Sequence, residues 1–173
     1  SIVNVHSGEQ FFSSNFSSSN TREAEIAVGL VQKLRRKAWL KGLKDVKIRI
    51  ITFYTAQVNL ITNLLLTRIV PAEDVFVSTV DSFQGSEADV IILSCVCTSK
   101  TSVGFLSDSR RLNVSLTRAK KKLIVLCKAD ALAGGETLEM LDLKSLIENA
   151  KSRNVLFSES APNVLEKLSD LSF

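Results

Sequence analysis

Val77-Ser-Thr-Val-Asp-Ser-Phe-Gln-Gly-Ser-Glu87 closes one β-branched run, Val75–Val80, and leads into another, Val90–Cys97. Neither run alternates apolar with polar residues as a half-exposed strand does. Both are near-continuous hydrophobic stretches, the mark of strands covered on two faces, and such strands belong to parallel sheets. Upstream, Ile48–Phe53 has the same character, interrupted only by Arg49. Between it and Val75, apolar residues at Val58, Ile61, Leu64 and Leu65 recur at helical spacing until Pro71 ends the unit. Downstream, a polar loop from Thr98 to Asp108 precedes a predicted helix, Ser109–Ala119, and a strand, Leu123–Cys127.

The flanks continue the alternation. Ile2–Val5 reads as a first strand and the Ser/Asn-rich stretch Ser13–Asn20 as a flexible loop. Asn20 and Glu23 have the spacing of a helix cap with its reciprocal partner. Ala24, Ala27, Val28, Val31 and Leu34 then line one face of a helix predicted over Thr21–Leu40. Its basic tail, Lys33–Lys37, reads as a solvated face. After a break at Gly134-Gly135, a helix over Leu138–Ala150, a short strand at Val155–Phe157 and a closing helix over Pro162–Leu171 complete the pattern. The expectation is a single α/β domain spanning 1–173. Its sheet is mainly parallel, with helices on both faces and right-handed crossovers.

Composition narrows the classes. The chain has 173 residues, 45% hydrophobic and 23% charged, the balance of an ordinary globular domain. Its longest apolar stretch, Val90–Cys97, is far too short to cross a bilayer, so no membrane partner is expected. No basic–apolar–small leader opens the chain, which begins with Ser1, and an excised domain or processed chain is expected. A net charge of +4 is compatible with a polyanionic partner without demanding one. Cys95, Cys97 and Cys127 have only the distant His6 to join them, short of the four ligands of a structural zinc site. They read as buried, reduced thiols, which points to an intracellular compartment, cytoplasmic or nuclear, and no metal site is expected. The sequons at Asn15 and Asn113 matter only on a secretory route.

Ligands of α/β sheets gather at the carboxyl ends of strands. Three polar-rich segments lie at predicted strand ends: Phe53–Gln57, Ser78–Glu87 and Arg110–Ala119. Gly85 permits a close backbone approach. On a helix, Arg111, Ser115 and Arg118 would share one face, and paired guanidinium forks suit phosphate. Each segment alone is more often structural; together they point to a phosphate-rich ligand.

The segments Val77–Glu87, Gly104-Phe-Leu106 and Arg110–Lys120 resemble motifs V and VI of superfamily 1 helicases, in the Upf-like branch that moves 5′-to-3′ on RNA or DNA. Ile51-Thr-Phe-Tyr-Thr-Ala-Gln57 resembles that branch's motif IV, and Asn20-x-x-Glu23-Ala24 the segment before it. The resemblance runs in order from Val3 to Leu132 and implies the second RecA-like motor domain of an ATP-driven helicase.

Roles for individual residues follow from the resemblance alone. Tyr54 would lie against adenine and Glu87 would accept a hydrogen bond from the ribose. Gln84 and Gly85 would line the phosphate side of the cleft. Arg111 would touch a phosphate or another motif. Arg118 would be the arginine finger, and Thr79 would hold a phosphate of single-stranded RNA or DNA. Two departures stand out: Phe53 occupies a position where proline is common, and Val58 one where some relatives carry arginine.

No Gly-x-x-x-x-Gly-Lys-Ser/Thr occurs in these residues. Glu73-Asp74 precedes a strand rather than following one, which suits a solvated strand entry better than a metal site. The ligands for ATP phosphates and Mg2+ are therefore expected on a first RecA-like domain outside this sequence, acting in cis. The competing reading is a non-catalytic RecA-like module that binds nucleic acid or protein.

Overall fold

The computed structural model describes residues 1–7, 10–12, 17–68, 75–83, 85–96, 109–133 and 141–170. The predictions at Pro71, Glu73-Asp74, Gln84, Cys97, Thr98–Asp108 and Gly134-Gly135 lie outside them.

Six strands form one sheet: β1 (Ile2–Asn4), β4 (Ile48–Thr52), β5 (Val75–Thr79), β6 (Ala88–Ser94), β7 (Ala119–Cys127) and β8 (Leu156–Ser158). Their order is β5-β4-β6-β7-β1-β8, and every neighbouring pair is parallel. The helices are α1 (Thr21–Leu40), α2 (Thr55–Arg68), α3 (Ser109–Thr117), α4 (Ala129–Ala133), α5 (Leu141–Ser152) and α6 (Val164–Leu168). This is the parallel α/β arrangement that the alternation predicts, as the RecA-like domain implied by the resemblance requires.

Successive strand residues face opposite sides, so each central strand feeds two cores. Ile50, Val90, Ile92, Ile124 and Leu126 pack with α1, α2 and α6. Ile51, Ile91, Leu93 and Val125 pack with Leu112 of α3 and with Ile147 and Ala150 of α5. Both faces are dry, which is why these runs show no polar alternation.

Three expectations need correction. Ser18–Asn20 is a strand, β3, paired antiparallel with β2 (Gln10–Phe12), rather than part of a loop. Backbone pairing there overrides a composition that favours turns. The predicted helix Ser109–Ala119 stops at Thr117, because the Arg118 carbonyl accepts the Ala88 amide at 3.2 Å and the chain joins the sheet. Strand β7 therefore begins four residues earlier than predicted. Its lysines are accommodated by cross-strand pairs, Lys120–Glu87 at 3.2 Å and Lys121–Asp89 at 3.2 Å. The closing helix is short, Val164–Leu168, entered through Asn163 in the left-handed region at φ 58°.

Candidate functional site

The sequence-derived site residues divide between the two ends of the sheet. At the carboxyl end, Tyr54 sits between β4 and α2, and its carbonyl accepts the Gln57 and Val58 amides at 3.1 Å each. Its side chain is only 5% exposed, so the ring is enclosed by the protein's own atoms. The adenine contact that the resemblance implies would need a ring face opened from this enclosure.

Beneath Tyr54 lies a buried polar network. Gln57 accepts the Asn20 amide at 2.8 Å through Oε1, and its Nε2 donates to the Asn20 carbonyl at 3.1 Å and to Ser94 Oγ at 3.0 Å. Ser94 Oγ donates in turn to Glu23 Oε2 at 2.6 Å, as does the Val96 amide at 2.9 Å. Asn20 caps α1 as expected, accepting the Glu23 amide at 3.0 Å. The reciprocal half of the capping box is absent, because Glu23 reaches across to β6 and Gln57 takes the Asn20 amide instead. Burial pushes the Glu23 carboxyl up to about 7, against the lowering pull of the Ser94 hydroxyl and of the Val96 and Cys95 backbone. Glu23 Oε1 and Thr52 Oγ1 are enclosed without partners among the described residues. Val96 is held at φ 66°, a strained conformation for a β-branched residue. Sequence reasoning took Glu23 for a local cap and gave Gln57 no role; Ser94 lies some 70 residues from Glu23, beyond any local pattern.

Thr79 ends β5 at the same end of the sheet. Its Oγ1 shares a hydrogen bond with Ser82 Oγ at 2.9 Å and accepts the Ser82 amide at 3.2 Å. This fastens the turn into the short 3₁₀ segment Asp81–Phe83. Arg111 of α3 ties to that segment through Asp81, Nε to Oδ1 2.9 Å.

From there the chain crosses toward the amino end. Gly85 is exposed at φ 78°, a conformation that suits glycine, with open space where a Cβ would stand. Glu87 is exposed at the foot of β6 and pairs with Lys120. Arg118 occupies the matching place at the foot of β7, since Ala88 and Ala119 are cross-strand partners. The helix face expected to group Arg111, Ser115 and Arg118 is not formed. Ser115 is buried with Oγ donating to the Leu112 carbonyl at 2.6 Å, and Arg118 lies beyond the helix. Arg118 Nε is enclosed and without a hydrogen-bond partner among the described residues.

Beside Glu87 an open groove of about 440 Å³ runs along edge strand β5, lined by Lys47, Arg49, Phe76, Ser82 and Ser86 among others. A larger groove of about 520 Å³, bordered by α1 and α6, lies away from these residues. Its charges are matched, Arg22 to Glu159 at 2.7 Å and Lys33 to Glu166 at 2.9 Å. Among the described residues, no group of three His, Cys, Asp or Glu could hold a metal ion. No described helix is long and apolar enough to cross a membrane.

Residues 1–130 match the family model described as "AAA domain". The chain is similar to Regulator of nonsense transcripts 1 of Dictyostelium discoideum, 39% identical over 94% of this chain and 12% of that protein. It is 36% identical to Regulator of nonsense transcripts 1 of Caenorhabditis elegans, over 92% of this chain and 14% of that protein. Helicase sen1 of Schizosaccharomyces pombe is 35% identical over 87% of this chain and 9% of its own length. The chain thus spans roughly a tenth of the length of these relatives.

Proposed function

Since the chain belongs to the Upf-like branch of the superfamily 1 helicases, we propose that it is the second RecA-like motor domain of an ATP-driven 5′-to-3′ helicase. In this reading the amino end of the sheet faces the nucleotide and the carboxyl end grips a single strand of RNA or DNA. One observation carries it. Glu87 and Arg118 stand one residue before a pair of cross-strand partners, Ala88 and Ala119, so a carboxylate and a guanidinium share the foot of adjacent strands.

Glu87 accepts hydrogen bonds from ribose hydroxyls, and its exposed pairing with Lys120 is weak enough to yield to them. Arg118 meets the γ-phosphate across the cleft and stabilises charge moving toward the leaving group. Gly85, and Gln84 beside it, line the phosphate side. Thr79 offers its hydroxyl to a phosphate of the strand, a contact that grips without reading bases. The first domain supplies the phosphate-binding loop and the ligands for Mg2+, which neutralises phosphate charge when bound.

The test is turnover in parts and in whole. This chain alone should hydrolyse ATP no faster than background, with or without RNA, and turnover should appear when the first domain is joined to it. Robust turnover by the chain alone, lost on Arg118→Ala, overturns the half-motor reading.

A further inference from the structure

Residues Lys33–Arg49 hold eight of the chain's 22 basic residues and one, Asp45, of its 18 acids. That is a net +7 against +4 for the whole chain, so everything outside this segment is net negative. It comprises the last turns of α1 and the connection into β4. Some of its charge is matched: Lys33 and Lys37 each reach Glu166 at 2.9 Å, and Lys41 lies 3.6 Å from Asp170. Arg36 and Lys44 are exposed and have no ion pair among the described residues.

Trp39 rises from the middle of this charge, 80% exposed, with Leu40 and Leu43 also exposed beside it in sequence. Across a groove of about 410 Å³ stands Phe76 of the edge strand, 58% exposed, with the Arg49 guanidinium 4.3 Å from its ring centre. The floor is Ala38, Val46 and Ile48, and Leu43, three basic residues (Arg35, Lys47 and Arg49) and one acid, Asp45, complete the lining. Exposed aromatics over an apolar floor mark an interaction surface.

We propose that this groove is an accessory site for single-stranded nucleic acid, separate from Thr79. Bases stack on Trp39 and Phe76, and phosphates follow the lysines and arginines around them. Charge decides the class of partner. Protein interfaces are depleted in lysine, whereas Lys47 lines this groove with Arg35 and Arg49, Lys41 and Lys44 lie close by in sequence, and a polyanion gains from each contact by counterion release. The lining holds ring faces and charges but no Asn or Gln to read a base edge, so binding is indifferent to sequence. The site goes beyond the motor reading and does not depend on it.

Trp39 is the chain's one tryptophan, so intrinsic fluorescence reports on this groove. Oligouridine and oligothymidine should both quench it, with affinity falling steeply as salt rises. Lys47→Glu, at an exposed position in the lining, should weaken binding several-fold and flatten the salt dependence by roughly one unit of log–log slope. Trp39→Leu, at an exposed position with little bearing on folding, should weaken binding of labelled oligouridine about tenfold by anisotropy. Absence of a quench overturns the proposal. So does polyglutamate quenching as well as oligouridine at matched salt, which would make the face a docking site for acidic protein. The fluorescence reads the same whether or not the full-length protein hydrolyses ATP, so the two proposals fail separately.

Discussion

The two ends of the sheet carry similar residues and treat them in opposite ways. At the carboxyl end Gln57 is fully buried and uses both ends of its amide, Glu23 accepts two hydrogen bonds, and Tyr54 is enclosed. At the amino end Gly85, Ser86 and Glu87 are exposed and the charge pair of Glu87 with Lys120 is superficial, while Arg118 is half-buried with its Nε enclosed and without a hydrogen-bond partner among the described residues. A buried network whose members satisfy one another fixes backbone, and removing a member costs stability. A set of exposed groups contributes little to folding and can meet a ligand without first breaking internal bonds. A concentration of polar residues in sequence thus marks either scaffold or chemistry, and burial separates them.

The widest gap between the ends is expected at Arg118. In the full-length protein Arg118→Ala should lower ATP turnover by about 10³-fold or more while leaving the melting temperature nearly unchanged. Arg118→Lys should recover little, because a point charge does not reproduce a paired fork. Near-normal turnover with a lowered melting temperature would move Arg118 into the scaffold and break the comparison.

Gln57→Leu is the mirror experiment at the other end. It strands the Asn20 amide and removes the donor to Ser94, and should cost about 3 kcal/mol by denaturant unfolding. Loss of less than about 1 kcal/mol would show that the network is not holding the α1–α2 entry.

Glu23 adds a pH dependence of definite sign. Its carboxyl is pushed up to about 7 in the fold against an ordinary 4.5. Between those values the native chain keeps a proton that the unfolded chain has released. Its contribution therefore falls as pH rises from 4.5 to 7 and stays low above, by roughly 3 kcal/mol. Glu159 moves the other way: despite burial, Arg22 and Ser7 hold it below its usual range, so its contribution is lost only as pH falls below about 4.5. Unfolding free energies at pH 5 and pH 8 should differ accordingly, and Glu23→Gln should flatten the difference. An unchanged slope in that variant would assign the titration elsewhere.

The smallest effect is expected at Thr79, where the two treatments meet. Thr79→Val loses the turn bonds to Ser82, about 1 kcal/mol, and should weaken single-strand binding a few-fold for all sequences alike. Loss confined to one sequence would contradict a phosphate contact.

Much of the fold was legible because its signals are local. The bounds of α1 follow from Asn20 as cap and from apolar residues at helical spacing. The parallel sheet follows from runs too hydrophobic to face water. What escaped depends on distant partners. Nothing near Arg118 says that the Ala88 amide will claim its carbonyl and end α3. Nothing in a Ser/Asn-rich stretch says that Ser18–Asn20 will pair with Gln10–Phe12. The candidate site was legible as a set of residues but not as a place. Ser78–Glu87 leaves one end of the sheet and arrives at the other, so neighbours in the motif are remote from each other in space. Tyr54 stands at the carboxyl end, as its place after β4 predicts, whereas Glu87 stands at the amino end, at the entry to β6.

Strand β6 sets the distance between the ends: seven residues, or about 20 Å of extended chain. Groups that far apart, with no side chain in common, contribute independently to free energy. Substitutions at Gln57 and at Arg118 should therefore sum in a double variant, and changes at one end need not retune the other. The length of one strand makes the two ends of the sheet separately heritable.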